Sequence, residues 1–468
     1  MIRNFSWISI YISLFFLLLM SLAWTEANGF VSNNMVELWA KTIVQVESSV
    51  PFKSTDSFYP PVPYGLSLVV QLALRSPEVP VPFLLSAMLG ALVLVLWYFN
   101  LRDNGFPSFV SGLVIILLSL NAFFLRSISD GPQSVLCILG TWVFARGLVN
   151  LRLTGNAPDM MKVAVGLLVV ALSDSFGLML CLGALPFMIV AARPSMIEKS
   201  PTGYMLAMFY PVVAGIGSLL FVNMIFDTSL LPNPSEPSET LRPPNHALLL
   251  SGLGPATLVA VFRNIKLPRL FMPLFAATGT VLGAYFLNNV YKVEADPALA
   301  IAPMLSVLVA SIRFWPELPL RGPIAVFLVG FCLTMSYLVL QDTSHTETEA
   351  WRNALRGEPS QVREPTEHVA NFLRAKSDIM VDAERNPEIV TALNGIERLV
   401  VAGQPAYDWP LEGGLPQARH ILVPRQDDAK VRADRVLRRF PQLKEGSLPN
   451  YRVVYQNAFW RVFERMDE

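Results

Sequence analysis

The chain has 468 residues, 53% of them hydrophobic and only 15% charged, where soluble domains carry about 25% charged residues. Its mean hydropathy is +0.45, which excludes an ordinary soluble domain. Equal numbers of basic and acidic residues, 36 of each, leave no basic excess to recommend nucleic acid as a partner.

The charge is unevenly spread: roughly half of it follows Gln341, in little more than a quarter of the chain. This reads as a membrane body, residues 1–341, followed by a soluble domain, residues 342–468. The three cysteines, Cys137, Cys181 and Cys332, all sit in apolar runs, where they form no disulfide framework and no zinc spacing. The four histidines are scattered without HxxxH or HxxH pairing, so metal hydrolysis has little support.

In chain order, the apolar run from Phe5 to Trp24 is near the ~20 residues that span a bilayer. It reads as an uncleaved first helix; a signal peptide ending near Ser21-Leu22-Ala23 is the alternative. The segment Met35–Val46 has apolar residues at helical spacing on one face, with Glu37, Lys41 and Gln45 on the other. It predicts an amphipathic helix lying in the membrane interface or lidding the bundle. The run from Tyr64 to Arg75 is too short to span, and the prolines before it suit a helix mouth. Residues 60–75 should therefore dip without crossing. Ten further spans follow at about 80–99, 107–125, 132–149, 160–173, 176–192, 204–226, 247–262, 269–288, 297–312 and 323–341 by the same ~20-residue criterion.

If residues 60–75 do not cross, Arg102, Arg152, Lys162, Arg193, Lys199, Arg263, Lys266, Arg269, Arg313 and Arg321 share the N-terminal side. The positive-inside bias then makes the N-terminus cytoplasmic and the soluble domain periplasmic. Four strand-like runs, "DIMVDA", "RLVVAG", "HILVPR" and "YRVVYQNAFWRVFER", alternate with helical stretches and predict a small α/β domain. The outside segments hold no N-x-S/T sequon, which favours a bacterial inner membrane.

An interfacial "NNMVELWAKTIVQ", a proline-pair segment "FYPPVPYGLSLVVQLAL", an acid-bearing second outer loop "FFLRSISDGPQSVL" and the α/β tail follow one another in an order that resembles the GT-C superfamily of polytopic glycosyltransferases. The family 39 branch, with protein O-mannosyltransferases and lipid A aminoarabinose transferases, is the nearest in layout. The resemblance implies an α-helical polytopic membrane protein of about eleven transmembrane helices with a small extracytoplasmic α/β domain. It implies transfer of a sugar from a polyprenyl-phosphate donor to a glycan, lipid or protein acceptor at the outer face of the membrane. Such a transfer needs a carboxylate to take the acceptor's proton and cationic or hydrogen-bonding partners for the departing phosphate. No cofactor is implied with certainty, and a divalent metal is left open.

The chain departs from that pattern where the chemistry lies. The family's first-loop acid is replaced by Ser32, Asn33 and Asn34, and asparagine accepts no proton at neutral pH. The lysine often found before the proline pair is Tyr59. Glu26, Glu37, Glu47 and Asp56 are candidate substitutes, each with a solvated carboxylate as the alternative. Asp130 sits at the expected second loop, with a helix N-cap as its alternative. The catalytic candidates are thus Asp130, Glu37 and Asp56; the donor-binding candidates are Arg126, Tyr59 and Tyr64. Asp174 reads as the cap of a hairpin turn. A catalytically silent scaffold or lipid-glycan binding partner is the first rival reading. A transporter finds no Walker motif and no internal repeat. A polymerase or ligase would need a larger late loop than "DTSLLPNPSEPSETLRPPNH".

Overall fold

The computed structural model describes residues 2–48, 57–226, 245–291, 296–313, 315, 320–341, 345–358, 364–425 and 434–466, without the side chains of 2–6 and 364. Asp56 and almost all of the late loop lie outside the described residues. Helix α1 (Ile2–Ala27) leads into a long loop carrying α2 (Asn33–Glu47) and α3 (Pro61–Leu74). The bundle continues through α4 (Val81–Asp103), α5 (Ser108–Ser119), α6 (Ala122–Asp130), α7 (Pro132–Thr154), α8 (Ala157–Ala171), α9 (Ser175–Ala184) and the short α10 (Met188–Ala191) and α11 (Pro194–Lys199). It closes with α12 (Pro201–Ile225), α13 (His246–Phe262), α14 (Pro268–Tyr291), α15 (Pro297–Ile301), α16 (Met304–Arg313) and α17 (Arg321–Gln341).

The expected number of spans needs correction. Among the described residues six helices, α1, α4, α7, α12, α14 and α17, are long and apolar enough to cross a membrane, and the bent pair α5–α6 makes a seventh if counted as one span. The other four expected spans are shorter, and their breaks have local causes. Helix α8 has 15 residues. The 175–191 segment tightens into a 3-10 turn at Leu185–Phe187, and 297–313 is interrupted between α15 and α16. At the 58° bend, Asn121 accepts the Phe123 N–H at 3.0 Å and so starts α6 as a new helix. The expected dip is a helix of 14 residues, α3. At ~1.5 Å per residue it reaches about 21 Å, short of the ~30 Å hydrocarbon core.

The two ends of α8 show how the bundle is polarised. At its beginning, Arg193 Nε donates to the Arg152 carbonyl at 2.7 Å. At its end, the Val62 N–H donates to Leu172 O at 3.1 Å and the Tyr59 hydroxyl to Ala171 O at 3.2 Å. One end thus carries arginines and the other the first long loop. Close helix approach depends on missing side chains: a Cβ on Gly166 would lie 2.8 Å from the Phe144 nitrogen, which sets the α7–α8 separation.

After α17 come α18 (Thr346–Leu355), α19 (Glu364–Leu373) and α20 (Pro387–Ala392). Five strands form one mixed sheet: β1 (Ile379–Met380), β2 (Leu399–Val400), β3 (His420–Pro424), β4 (Tyr451–Gln456) and β5 (Trp460–Arg465), in the order β2-β1-β3-β5-β4. β1 runs parallel to β2 and β3; β5 runs antiparallel to β3 and β4. Successive residues face opposite layers, as the strand period demands. Ile379, Leu399 and Leu422 enter one core, while Met380, Val400 and Ile421 enter the other. The strand-like runs read from the sequence are all present.

The first of those cores also contains Trp39, Ala40, Ile43 and Val44 of α2. Met35 instead joins the membrane bundle, and Leu38 packs with Phe58 and Tyr64. Helix α2 is therefore gripped on three sides, and its expected polar face is narrower than an interfacial helix would show: Gln45 is buried.

The sheet domain holds a buried acidic pair. Asp434 accepts the Leu437 N–H and Asn386 Nδ2, both at 2.9 Å. Asp382 takes Arg435 through Nη2 at 3.0 Å and Nε at 3.2 Å. Burial first, and the Asp382 charge second, push the Asp434 carboxyl up from 3.8 to about 6. A raised carboxyl favours the folded state only while protonated, so its contribution is lost as pH rises from about 4 to 6, a change of about 3 kcal/mol. The protection of the amides at residues 435–439, taken relative to intrinsic exchange at each pH, should fall over that window in the wild type. In Asp434→Asn that fall should be absent; an unchanged slope would place the titration elsewhere.

Candidate functional site

The first loop, α6, the start of α15 and the start of α18 converge on Arg126. Its side chain is fully buried. Nη2 lies 2.9 Å from Asp296 Oδ2 and 3.2 Å from Glu347 Oε2, and Nη1 lies 3.5 Å from Asp130 Oδ1. Nε donates to Thr348 Oγ1 at 3.2 Å, and the guanidinium stands 5.7 Å from the centre of the Phe30 ring. Thr348 in turn donates to Asp296, which also caps α15 through the Ala298 N–H at 2.9 Å. Burial raises the Asp296 carboxyl, but Arg126, His345, Thr348 and the Ala298 N–H outweigh it and hold the group below the usual range.

Three carboxylates thus share one guanidinium, and Arg126 fills the place where they meet. The remaining negative charge is met by neutral donors. Asp130 accepts Ser32 Oγ at 3.0 Å, Ser134 Oγ at 2.6 Å and Asn34 Nδ2 at 3.3 Å to each oxygen. Glu347 accepts the Asn33 N–H at 2.8 Å. Ser32, Asn33 and Asn34, three neutral residues at the start of α2, therefore donate to the carboxylates of the second loop and of α18. A further carboxylate at 32 or 34 would face Asp130, for which Arg126 is the paired cation among the described residues.

The other candidates are dispersed. Glu37 pairs with Lys41 at 2.9 Å and is half exposed, at the seam where α2 meets Ala383, Glu384 and Pro387. Tyr59 and Tyr64 are buried, and their hydroxyls hold Ala171 O and, at 3.3 Å, Gln45 Oε1. Glu47 accepts the Ile396 N–H at 2.8 Å, and Glu26 lies at the exposed end of α1. Asp174 caps α9 through the Phe176 N–H at 2.9 Å, as expected of a hairpin turn. The N-cap reading of Asp130 is corrected: Gly131 occupies the cap of α7, and Asp130 bonds the Ser134 hydroxyl instead. Among the described residues, no set of His, Cys, Asp and Glu side chains is arranged to hold a metal ion.

Sequence reasoning missed Asp296, Glu347 and Thr348. Asp296 stands before a proline and an apolar run, the signature of a helix cap, and Glu347 stands in a first helical turn, where acids favour the dipole. Both signals point to local roles, and neither reveals the shared arginine.

A bundle of apolar helices with two helices in its first loop, a bent third segment and a small mixed-sheet domain shares the fold of ArnT. The chain is similar to ArnT from Cupriavidus metallidurans: in the apo state the TM-score is 0.50, and in the structure bound to undecaprenyl phosphate it is 0.52. In both cases sequence identity is 10% and the match covers 98% of each chain. No protein-family model matches the chain, and neither does any curated protein.

Proposed function

We propose that this protein is a glycosyltransferase of the bacterial inner membrane, moving a sugar from a polyprenyl-phosphate donor to an envelope glycan, lipid or protein acceptor at the outer face. The observation that carries the reading is the match over 98% of both chains to the fold of ArnT, one of whose structures holds undecaprenyl phosphate. The division into a membrane body, 1–341, and a periplasmic domain, 342–468, belongs to the same proposal, as does a cytoplasmic N-terminus. Cysteine labelling tests the topology: a cysteine at Ser76 should react from outside and one at Ser108 from inside. Inside labelling at Ser76 would overturn it.

In this reading Asp130 is the base. The acceptor oxygen bonds to the anomeric carbon, the carbon–oxygen bond to phosphate breaks, and the acceptor's proton passes to the carboxylate. Ser32 and Asn34 must first withdraw, and both stand at the start of α2. One movement of that helix would thus admit the acceptor and free the base. Asp130→Asn should lower turnover by about 100-fold or more, the usual range for a general base.

A second reading, a silent scaffold or lipid-glycan binding partner, is favoured by one specific observation. Both oxygens of Asp130 are already engaged by hydroxyl, amide and guanidinium donors at full burial. Under it, Asp130→Asn would lower stability and leave the phenotype of the folded protein intact.

A further inference from the structure

A cleft of about 390 Å³ opens between the C-terminal ends of α2 and α3, away from Arg126 and Asp130. Val46, Leu72 and Pro77 give it apolar walls, and Glu47, Gln71 and Arg75 give it three polar groups of different kinds. We propose that it holds the headgroup of a zwitterionic phospholipid with a primary amine, a phosphoethanolamine. The proposal is independent of the transferase reading.

Four observations support it. Gln71 is 2% exposed, and its Oε1 has no hydrogen-bond partner among the described residues, while Nε2 donates to Ser76 O at 2.8 Å. A buried amide oxygen without a donor is unfavourable, so the site is short of one N–H. Arg75 is exposed and forms no ion pair with a described carboxylate. It sits in the left-handed region at φ 52°, its N–H held by Gln71 O at 2.8 Å, a conformation that L-residues rarely adopt. Glu47 has one oxygen on the Ile396 N–H, and burial first, with the Glu397 charge adding to it, pushes the Glu47 carboxyl up. Among the described residues it forms no ion pair.

The cleft therefore presents a guanidinium, paired with no described carboxylate, for a phosphate, and the Glu47 carboxylate for an ammonium. The same α3 leaves Leu66, Val69, Leu72 and Leu74 exposed, an apolar flank along which acyl chains would lie. A purely anionic lipid satisfies Arg75 but leaves Glu47 unserved. Charge complementarity thus selects a headgroup carrying both signs, with N–H donors on its cation.

The test uses the full-length protein in mild detergent with short-chain phosphatidylethanolamine, phosphatidylglycerol or undecaprenyl phosphate, read by native mass spectrometry. Phosphatidylethanolamine should bind saturably and about tenfold more tightly than phosphatidylglycerol, a difference one good charge-assisted contact supplies. Arg75→Asn tolerates the left-handed backbone and should weaken both phospholipids. Glu47→Gln keeps an acceptor for the Ile396 N–H and should erase the preference between them. Equal binding of the two, binding unaffected by either substitution, or tighter binding of undecaprenyl phosphate would overturn the assignment. The last result would make the cleft a carrier-lipid site.

Discussion

Arg126→Met is expected to cost about 3–5 kcal/mol, the effect of breaking a buried ion pair by removing one partner. The loss is large because Asp130, Asp296 and Glu347 all lean on this one guanidinium. Without it, two nearly inaccessible carboxylates and a partly buried third face one another. Total stabilities of about 5–15 kcal/mol leave little reserve for such a change. The yield of monodisperse protein and its unfolding temperature should both fall. Combining Arg126→Met with Asp296→Asn and Glu347→Gln should restore most of the loss, because it removes charge from both sides and leaves Asp130 with its hydroxyl and amide donors. A single variant as stable as the wild type would mean that the cluster is hydrated and the ion pairs contribute little.

Ile43→Asp is expected to release the sheet domain from the bundle. Ile43 has no exposed surface and packs in one core with Trp39, Val44, Val369, Ile389 and Val390. Losing its burial forfeits about 1.5–3 kcal/mol, and placing an unpaired carboxylate there adds several more. Ile43→Val, by contrast, should cost only about 0.5–1.5 kcal/mol. Limited proteolysis between α18 and α19 should cut the aspartate variant quickly and the valine variant at the wild-type rate. Equal resistance of both would mean that the domain is held chiefly elsewhere.

These two sites mark what the sequence discloses and what it withholds. The strands were legible because β1, β2 and β3 are short apolar runs, and the hairpin β4–β5 surrounds the turn former Asn457, whose Oδ1 accepts the Phe459 and Trp460 N–H groups. Helix α2 was legible as a helix from its spacing. Its three separate packing partners were not, because a periodic apolar stripe says nothing about which surface receives it. Arg126 and Asp130 stand four residues apart on one helix and were readable as a pair. Asp296 and Glu347 arrive from 166 and 217 positions beyond Asp130, and only the fold brings them to the same arginine. The number of spans was overread for a related reason. Hydropathy measures how apolar a segment is, while the 3-10 turn at Leu185–Phe187 and the cap at Asn121 decide how far a helix continues.

Transfer of a lipid-linked sugar with Asp130 as the base is the activity proposed for this chain. It is tested most directly by mass spectrometry of envelope glycolipids and polysaccharide from a deletion strain, complemented with wild type, Asp130→Asn or Glu37→Gln at matched expression. The account predicts that a missing sugar returns with wild type and Glu37→Gln but not with Asp130→Asn. Full restoration by Asp130→Asn would contradict it and leave the silent scaffold as the better reading.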